Sequence, residues 1–200
     1  MKLLMSPPSP YARKIRILIR ELNLMDAVEE VQITTTAFDS SPDIIAANPL
    51  GKIPALVRGD GPTLYDSRVI ARFLNDFAGA DLYPEGRIWE ILTLEATAIG
   101  IMDSAVSMSY EMRLRPENEQ SPDWIEAQWE KVARGVSAVN ERWMSHLSGP
   151  MNIGHVGLGS ALAYLDLRHD ARGWRDGNDA LAAWHAEFAS RDSMKETVPE

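Results

Sequence analysis

Three polar residues, Ser9, Asp66 and Ser67, stand directly before helical patterns. At the start of a helix, a polar side chain and the open backbone N–H groups can bind the same ligand. Ser9 precedes a pattern that begins at Pro10, and Asp66-Ser67 precede a second pattern. A serine hydroxyl there caps the helix or donates a hydrogen bond to an anion, which the helix dipole also favours. It cannot act as a base near neutral pH, and no histidine lies nearby in the sequence to activate it. Anion stabilisation is the chemistry these positions predict.

The stretch Asn48–Ser67 connects these positions to the rest of the chain. It contains a Pro-Leu-Gly loop, the dipeptide Ile53-Pro54, two short apolar runs around Gly59-Asp60-Gly61, and the Asp-Ser pair. Proline before an apolar run opens a strand or makes a corner, and Gly-Asp-Gly favours a hairpin turn. We expect a loop, a corner, a hairpin and then a helix whose N-terminus is open to a ligand.

The first eighty residues alternate strand and helix patterns. Lys2–Met5 and Val28–Ile33 are predicted strands, parallel if the helix between them is a crossover, and a helical turn follows at Asp43–Ala47. Short strands at Ala55–Arg58 and Thr63–Tyr65 form the hairpin. An apolar stripe then predicts a helix that stops at Gly79; its members are Val69, Ile70, Phe73, Leu74 and Phe77.

From Pro84 onward only helical patterns appear, over about 87–114, 122–147, 154–168 and 179–191. Residues 1–80 carry no net charge, so the later part holds the whole net charge of −9, together with all six Trp and all four His. These shifts predict a first domain over residues 1–79 and an all-helical domain over residues 85–200.

Composition excludes several classes of function. An acidic chain without a Lys/Arg block is a poor partner for nucleic acid or an anionic membrane surface, and no apolar run of transmembrane length is expected. The absence of cysteine excludes disulfides and redox chemistry on the protein's own sulfur and fits a cytoplasmic location. The histidines lack metal-ligand spacing, so we predict no metal site.

A β-α-β-α-β-β-α unit followed by a helical domain resembles the glutathione S-transferases. The run from Asn48 through Ile53-Pro54-Ala-Leu to Tyr-Asp66-Ser67 is similar to the family's glutathione-binding signature. Ser9-Pro-Tyr-Ala12 resembles the Cys-Pro-Tyr-Cys motif of glutaredoxins with both cysteines replaced, and the bacterial serine- or cysteine-type transferases look most similar. The fold implied is an α/β thioredoxin-like N-terminal domain and an all-α C-terminal domain.

The resemblance implies a role for each glutathione-binding position. Pro54 corresponds to the family's cis-proline, which would let the N–H and C=O of Ile53 pair with the cysteinyl backbone of glutathione. Ser67 would hold the γ-glutamyl carboxylate, Asp66 would face the γ-glutamyl ammonium, and Lys52 would pair with a glutathione carboxylate. The alternatives are a trans proline, a plain helix cap and a solvated lysine.

Ser9 is the predicted catalytic residue, because its hydroxyl would donate a hydrogen bond to the glutathione sulfur. A free thiol with a pKa near 8.5 is mostly protonated at pH 7, and a donated hydrogen bond and a helix N-terminus both favour the thiolate. Ser9 could instead be a plain cap, with Ser6, Tyr11 or backbone N–H groups serving the sulfur.

The helical domain has weaker signals. By resemblance, Asp103 would reach across a dimer interface to the glutathione amino group, although a solvated carboxylate is the alternative. Met108, Tyr110 and Arg113 would line the electrophile pocket unless they are core. Asn152 replaces the usual Ser/Thr helix cap, and His155, in place of an acid, is not expected to complete the capping box.

The sequence therefore predicts a cytoplasmic, homodimeric glutathione transferase that activates the glutathione thiol for attack on a small hydrophobic electrophile. Glutathione is a co-substrate, and no bound cofactor is expected. The alternatives are a non-catalytic transferase-like binding protein similar to the stringent starvation proteins, or a glutathione-dependent peroxidase or isomerase.

Overall fold

The computed structural model describes residues 1–199 and divides the chain into two compact units. The first unit comprises Met1–Gly86 together with the segment that begins at Arg191, and the second comprises Arg87–Ser190. The predicted domain of residues 85–200 is wrong at its C-terminal end, because that segment packs on the first unit. No sequence pattern indicates this packing, because most of its contacts are made by arginines on a helix far away in the chain.

The sheet of the first unit has three strands in the order β2-β1-β3, namely β1 (Lys2–Met5), β2 (Glu29–Gln32) and β3 (Ala55–Val57). β1 pairs with β2 in parallel, as predicted, and with β3 antiparallel, with Leu4 opposite Ala55. The predicted strand at Thr63–Tyr65 is reduced to a single bridge between Leu64 and Leu56. The central strand is buried on both sides, because Leu3 and Leu4 point to opposite faces and are 0% and 7% exposed.

Three helices accompany this sheet: α1 (Pro10–Glu21), α2 (Pro42–Ala47) and α3 (Ser67–Phe77). α1 begins with Ser9 as N-cap and Pro10 in its first turn, and ends where Asn23 adopts a left-handed conformation (φ 54°) and Leu24 N–H bonds to Ile19 C=O at 2.8 Å. α3 ends in the same way at Gly79 (φ 63°).

The C-terminal segment, which contains α9 (Asp192–Lys195), packs against the basic side of α1. The Arg13 guanidinium donates to the C=O of Met194 at 3.2 Å, and Arg191 forms a bidentate pair with Glu21 at 2.7 Å. Arg20 pairs with Glu196 at 3.1 Å. These contacts explain why the segment belongs with the first unit.

The second unit is built on α4 (Ile88–Leu114) and α7 (Ile153–His169), with α5 (Pro122–Arg142), α6 (Met144–Leu147) and α8 (Asp179–Ala189) around them. Short 3₁₀ turns precede α4 and α5 and follow α7. The prediction of no apolar run of transmembrane length needs correction, because one window of the helical segment 85–114 is long and apolar enough to cross a membrane. Half of that window is buried within the structure, as expected for a core helix.

Glycines let α7 approach α4 closely. A Cβ added to Gly154 would lie 2.8 Å from Leu94 Cδ2, and one added to Gly157 would lie 3.3 Å from the Cβ of Ala98. The expectation that His155 would not complete the capping box of α7 is wrong. The Asn152 side chain accepts from Gly154 N–H at 3.0 Å, and His155 Nδ1 accepts from Asn152 N–H at 3.3 Å. A neutral imidazole nitrogen accepts as a carboxylate oxygen does.

Candidate glutathione site

Ser9 is held at the junction of β1 and α1. Its N–H donates to the C=O of Ser6 at 3.0 Å, and its side-chain oxygen accepts from Ala12 N–H at 3.3 Å. The side chain is half-buried. Among residues 1–199 the Ser9 hydroxyl proton has no acceptor, so this hydroxyl both caps the helix and keeps a hydrogen bond to donate.

The loop before β3 presents the backbone of Ile53. The Ile53–Pro54 peptide bond is cis. Asn48, which is buried, fixes the preceding turn: its amide donates to Lys52 C=O at 2.8 Å and its side-chain oxygen accepts from Leu50 N–H at 3.0 Å. Neither the N–H nor the C=O of Ile53 finds a partner among the described residues, which leaves an edge that an extended peptide can pair with. Lys52 is exposed.

Asp66 and Ser67 form the N-terminus of α3. Asp66 is the N-cap: it accepts from Arg68 N–H and from the Arg68 guanidinium, both at 3.0 Å. The Tyr65–Asp66 peptide bond is cis. Burial raises the pKa of the Asp66 carboxyl, but the hydrogen bonds from Arg68 and the charges of Arg68 and Lys14 outweigh it and hold that pKa below its ordinary value of 3.8. Asp66 is therefore negatively charged at neutral pH.

Ser67 differs from Asp66 in being almost completely buried, with 2 % of its surface exposed. Its hydroxyl makes no hydrogen bond within the part of the chain that the structure describes. Its oxygen is not among the side-chain atoms that are sealed from solvent, so a ligand can reach it. A carboxylate at the N-terminus of α3 would satisfy this group together with the open helix N–H groups.

The sheet brings these elements to one end of the first unit. Because β3 runs antiparallel to β1, its start at Ala55 lies beside the end of β1, from which the chain enters the Ser6–Ser9 loop. Leu64, paired with Leu56, leads directly into Asp66-Ser67. The structure thus gathers five of the predicted site residues, Ser9, Ile53, Pro54, Asp66 and Ser67, on neighbouring elements, with Lys52 in the adjoining loop.

Three residues for which no role was predicted support the site. Asn48 orders the loop, Arg68 pairs with Asp66, and Lys14, completely buried on α1, places its charge near Asp66. An Asn before Pro-Leu-Gly is a recognisable loop-former. Lys14 lies in a basic run that ordinarily marks a solvated helix face, so its burial was not predictable from periodicity.

Asp103 lies exposed on α4, in the second unit. Met108 is fully buried, which favours the core interpretation for that residue, whereas Tyr110 and Arg113 are exposed. Within residues 1–199, no group of three or more His, Asp or Glu side chains could hold a metal ion.

A buried serine–histidine pair joins α4 to α7 but is not a nucleophile site. His169 Nε2 lies 2.9 Å from the C=O of Ala105 and 3.1 Å from Ser109 Oγ. A carbonyl oxygen only accepts, so Nε2 carries the proton and cannot take one from Ser109. Tyr164 also donates to Ser109, at 3.0 Å. The cluster holds the two helices together.

The N-capping serine, the open backbone edge and the helix N-terminus of the first unit suit an extended ligand that carries a carboxylate. Family models of the glutathione S-transferase N-terminal domain and C-terminal domain match residues 8–76 and 122–187. The chain belongs to the glutathione S-transferase family.

Individual relatives are similar over their whole length. A glutathione transferase family member from Pseudomonas fluorescens Pf-5, solved with bound glutathione, is 35% identical with a TM-score of 0.96, covering 100% of this chain and 98% of that one. A second structure of a glutathione transferase family member from Pseudomonas fluorescens Pf-5, with bound S-(propanoic acid)-glutathione, has a TM-score of 0.91 at 35% identity, covering 100% of both chains. An uncharacterised GST-like protein of Escherichia coli, YibF, is 28% identical, covering 100% of this chain and 98% of the relative.

Proposed function

We propose that this chain is a glutathione transferase that ionises the glutathione thiol and directs it at a small electrophile. The observation that carries the proposal is the hydroxyl of Ser67, a residue packed at the N-terminus of α3, which has no partner among residues 1–199 and is not sealed from solvent. The open backbone of Ile53 supports it from the neighbouring loop. The glutathione-bound Pseudomonas relatives support the choice of ligand.

In the proposed complex, glutathione lies along the edge from Ile53 to Ser67. Ile53 pairs with its cysteinyl backbone, and Ser67 and the open N–H groups of α3 hold the γ-glutamyl carboxylate. Asp66, charged at neutral pH, faces the γ-glutamyl ammonium. Lys52 pairs with a glutathione carboxylate, and Asp103 of a second subunit in a cytoplasmic homodimer completes the set.

The proposed mechanism is thiolate stabilisation and orientation. Ser9 donates its hydroxyl proton in a hydrogen bond to the sulfur, and the N-terminus of α1 adds its dipole, so the thiol releases its proton to solvent near neutral pH. The thiolate then attacks an electrophile held by the helical unit. Binding both reactants in a fixed orientation supplies the remaining acceleration. The relative with bound S-(propanoic acid)-glutathione supports a site that accommodates an alkylated sulfur.

Glutathione-agarose retention and a thermal-shift titration with glutathione test the proposal. The wild-type chain should be retained and stabilised, whereas Ser67→Ala should elute early and show a reduced shift. Ser121→Ala, which removes a cap from α5, is the matched control and should behave as wild type toward glutathione. If the wild-type chain washes through and glutathione gives no shift, a non-catalytic binding role replaces the enzyme proposal. A panel of aryl halides, peroxides and dicarbonyls then separates transferase from peroxidase and isomerase activity.

A further inference from the structure

On the packed helices α4 and α7, two arginines have no acidic partner among the described residues. Arg113 on α4 and Arg168 on α7 make no ion pair and no side-chain hydrogen bond within residues 1–199, and Arg168 Nε is sealed from solvent. Nearby arginines are paired: Arg172 with Glu126 at 2.7 Å, Arg175 with Asp166 at 2.6 Å. Nε is the one nitrogen of Arg168 that is sealed, so its terminal guanidinium nitrogens remain open to receive an anion.

The helix geometry brings the two arginines toward one place. Close approaches at Leu94–Gly154 and Ala98–Gly157, followed by the Ser109–Tyr164 hydrogen bond, show that α4 and α7 run in the same direction. Arg113 follows Ser109 by four residues, and Arg168 follows Tyr164 by four. Residues four apart lie on one helix face, so both arginines lie about one turn beyond the Ser109–Tyr164 contact, on the same side.

Electrostatics at Tyr164 agree with this placement. Burial raises the pKa of the Tyr164 phenol, whereas the Ser109 hydrogen bond and the charges of Arg168 and Arg113 lower it in part, so both guanidinium groups act on the same phenol. Tyr110, about half exposed, also acts on it and offers an aromatic ring beside the charges. Two positive charges therefore lie beside an exposed tyrosine ring, on a chain whose net charge is −9.

We propose that Arg113 and Arg168 form a carboxylate-binding site on the helical unit, and that the electrophile attacked by glutathione carries a carboxylate on a small aromatic or unsaturated frame. Guanidinium groups match a carboxylate with paired hydrogen bonds, and a tyrosine ring covers the frame. The inference rests on the proposed transferase function for the reaction, but the carboxylate site itself does not require glutathione.

The reaction is balanced without a further reactant. With 4-chloro-3-nitrobenzoate, the glutathione sulfur forms a bond to the ring carbon that bears chlorine, chloride leaves with the bonding electron pair, and the thiol proton passes to water. The carboxylate is unchanged and serves only for recognition. Its amide, 4-chloro-3-nitrobenzamide, has nearly the same shape without the charge.

Calorimetric titration of the full chain with this acid and amide, without glutathione, tests the site. We expect the acid to bind about tenfold more tightly than the amide in the wild type, and Arg168→Gln and Arg113→Gln each to remove most of this preference. Arg168→Lys should restore part of it. Arg142→Gln removes an equal charge from α5, where Arg142 also has no partner among the described residues, and should leave the preference intact.

Turnover with glutathione separates the two proposals. If the acid is preferred in binding but neither compound reacts and glutathione does not bind, the transferase proposal fails and the carboxylate site stands. If glutathione binds and both compounds react, but the acid and amide bind equally, the carboxylate site is wrong. Equal loss of acid binding in Arg142→Gln and Arg168→Gln would also overturn it, because the effect would then come from net charge alone.

Discussion

The side-chain oxygen of Ser9 accepts a hydrogen bond from the backbone N–H of Ala12 at 3.3 Å. The cap uses a lone pair of the hydroxyl oxygen and leaves its proton to donate, and no described residue accepts that proton. A single serine can therefore stabilise α1 and a thiolate at the same time. Ser9 is not a base, and the first unit contains no histidine that could activate it, since all four histidines lie in the second unit.

Replacing Ser9 by alanine should separate thiolate formation from binding. Glutathione should bind Ser9→Ala almost as well as wild type, but the ultraviolet absorbance of bound thiolate near neutral pH should be lost, and kcat should fall by about ten- to a hundredfold. Loss of the cap should also cost about 1 kcal/mol of unfolding free energy. Ser6→Ala is the control and should keep the thiolate. Unchanged thiolate formation in Ser9→Ala would transfer the role to Ser6, Tyr11 or backbone N–H groups.

Replacing Ser67 by alanine should weaken glutathione binding without changing thiolate formation. Its hydroxyl is expected to bond a carboxylate, and hydrogen bonds to charged groups contribute about 1.5–3 kcal/mol, so the Kd for glutathione should rise by about ten- to a hundredfold. The pKa of the bound thiol should not change, because the carboxylate end of glutathione is remote from the sulfur. Calorimetric titration measures the Kd, and the ultraviolet absorbance of the bound thiolate followed against pH measures the pKa of the thiol. A Ser67→Ala variant that binds glutathione normally would show that the hydroxyl has another purpose.

The strengths of the sequence signals explain which parts of the fold could be predicted. Helix caps and breakers are local, so the start of α1 after Ser9 and the end of α3 at Gly79 were predicted correctly. The strand at Thr63–Tyr65 was over-predicted because a short apolar run after a turn does not determine how many residues pair. The C-terminal segment was misplaced because its contacts with Arg13 and Glu21 span most of the chain.

The candidate site was predictable to the extent that it depends on backbone motifs. Ser9, Ile53, Pro54, Asp66 and Ser67 lie at element ends that proline and capping residues mark. The supporting charge of Lys14 was missed because burial of a lysine depends on tertiary packing. His155 was misjudged for a chemical reason: the capping box was considered only for carboxylates, although a neutral imidazole nitrogen accepts equally.

Close packing of α7 against α4 predicts contrasting effects for two glycine substitutions. Gly154→Ala should lower the unfolding free energy by about 1–3 kcal/mol, because its Cβ would lie 2.8 Å from Leu94 Cδ2. Gly100→Ala, on α4, has no heavy atom within 4 Å of the added Cβ and should raise it by about 0.5–1 kcal/mol through helix propensity. Urea unfolding measures both. Equal effects of the two changes would contradict the close contact between the helices.

Two histidines of the helical unit predict a loss of stability below neutral pH. Burial lowers the pKa of His169, and the charges of Arg172 and Arg168 lower it further against the opposing effect of the Ala105 carbonyl. Burial and the charge of Arg87 likewise lower the pKa of His146 below 6.5. The hydrogen bond with Asn152 and the charge of Glu90 raise the pKa of His146 in part, but burial and Arg87 outweigh them.

The direction of the pH effect follows from proton binding. Above the ordinary pKa of 6.5 these histidines are neutral in both folded and unfolded states. As the pH falls below that value, the unfolded chain takes up protons that the folded chain does not, so stability decreases until the lowered pKa is reached, by at most about 1.4 kcal/mol per pH unit for each histidine. The carboxylates with lowered pKa, such as Glu30, act only below about pH 4.5.

Urea unfolding at about pH 7.5, 6.5 and 5.5 should therefore show decreasing stability in the wild type. His169→Gln, whose amide can still donate to the Ala105 carbonyl, should start less stable because packing is lost but should decrease less steeply, and His169→Gln/His146→Gln should decrease least. Arg134→Gln, an exposed change on α5, should keep the wild-type slope. A double variant as steep as wild type would mean that other groups, not these two buried rings, control the acid sensitivity of the helical unit.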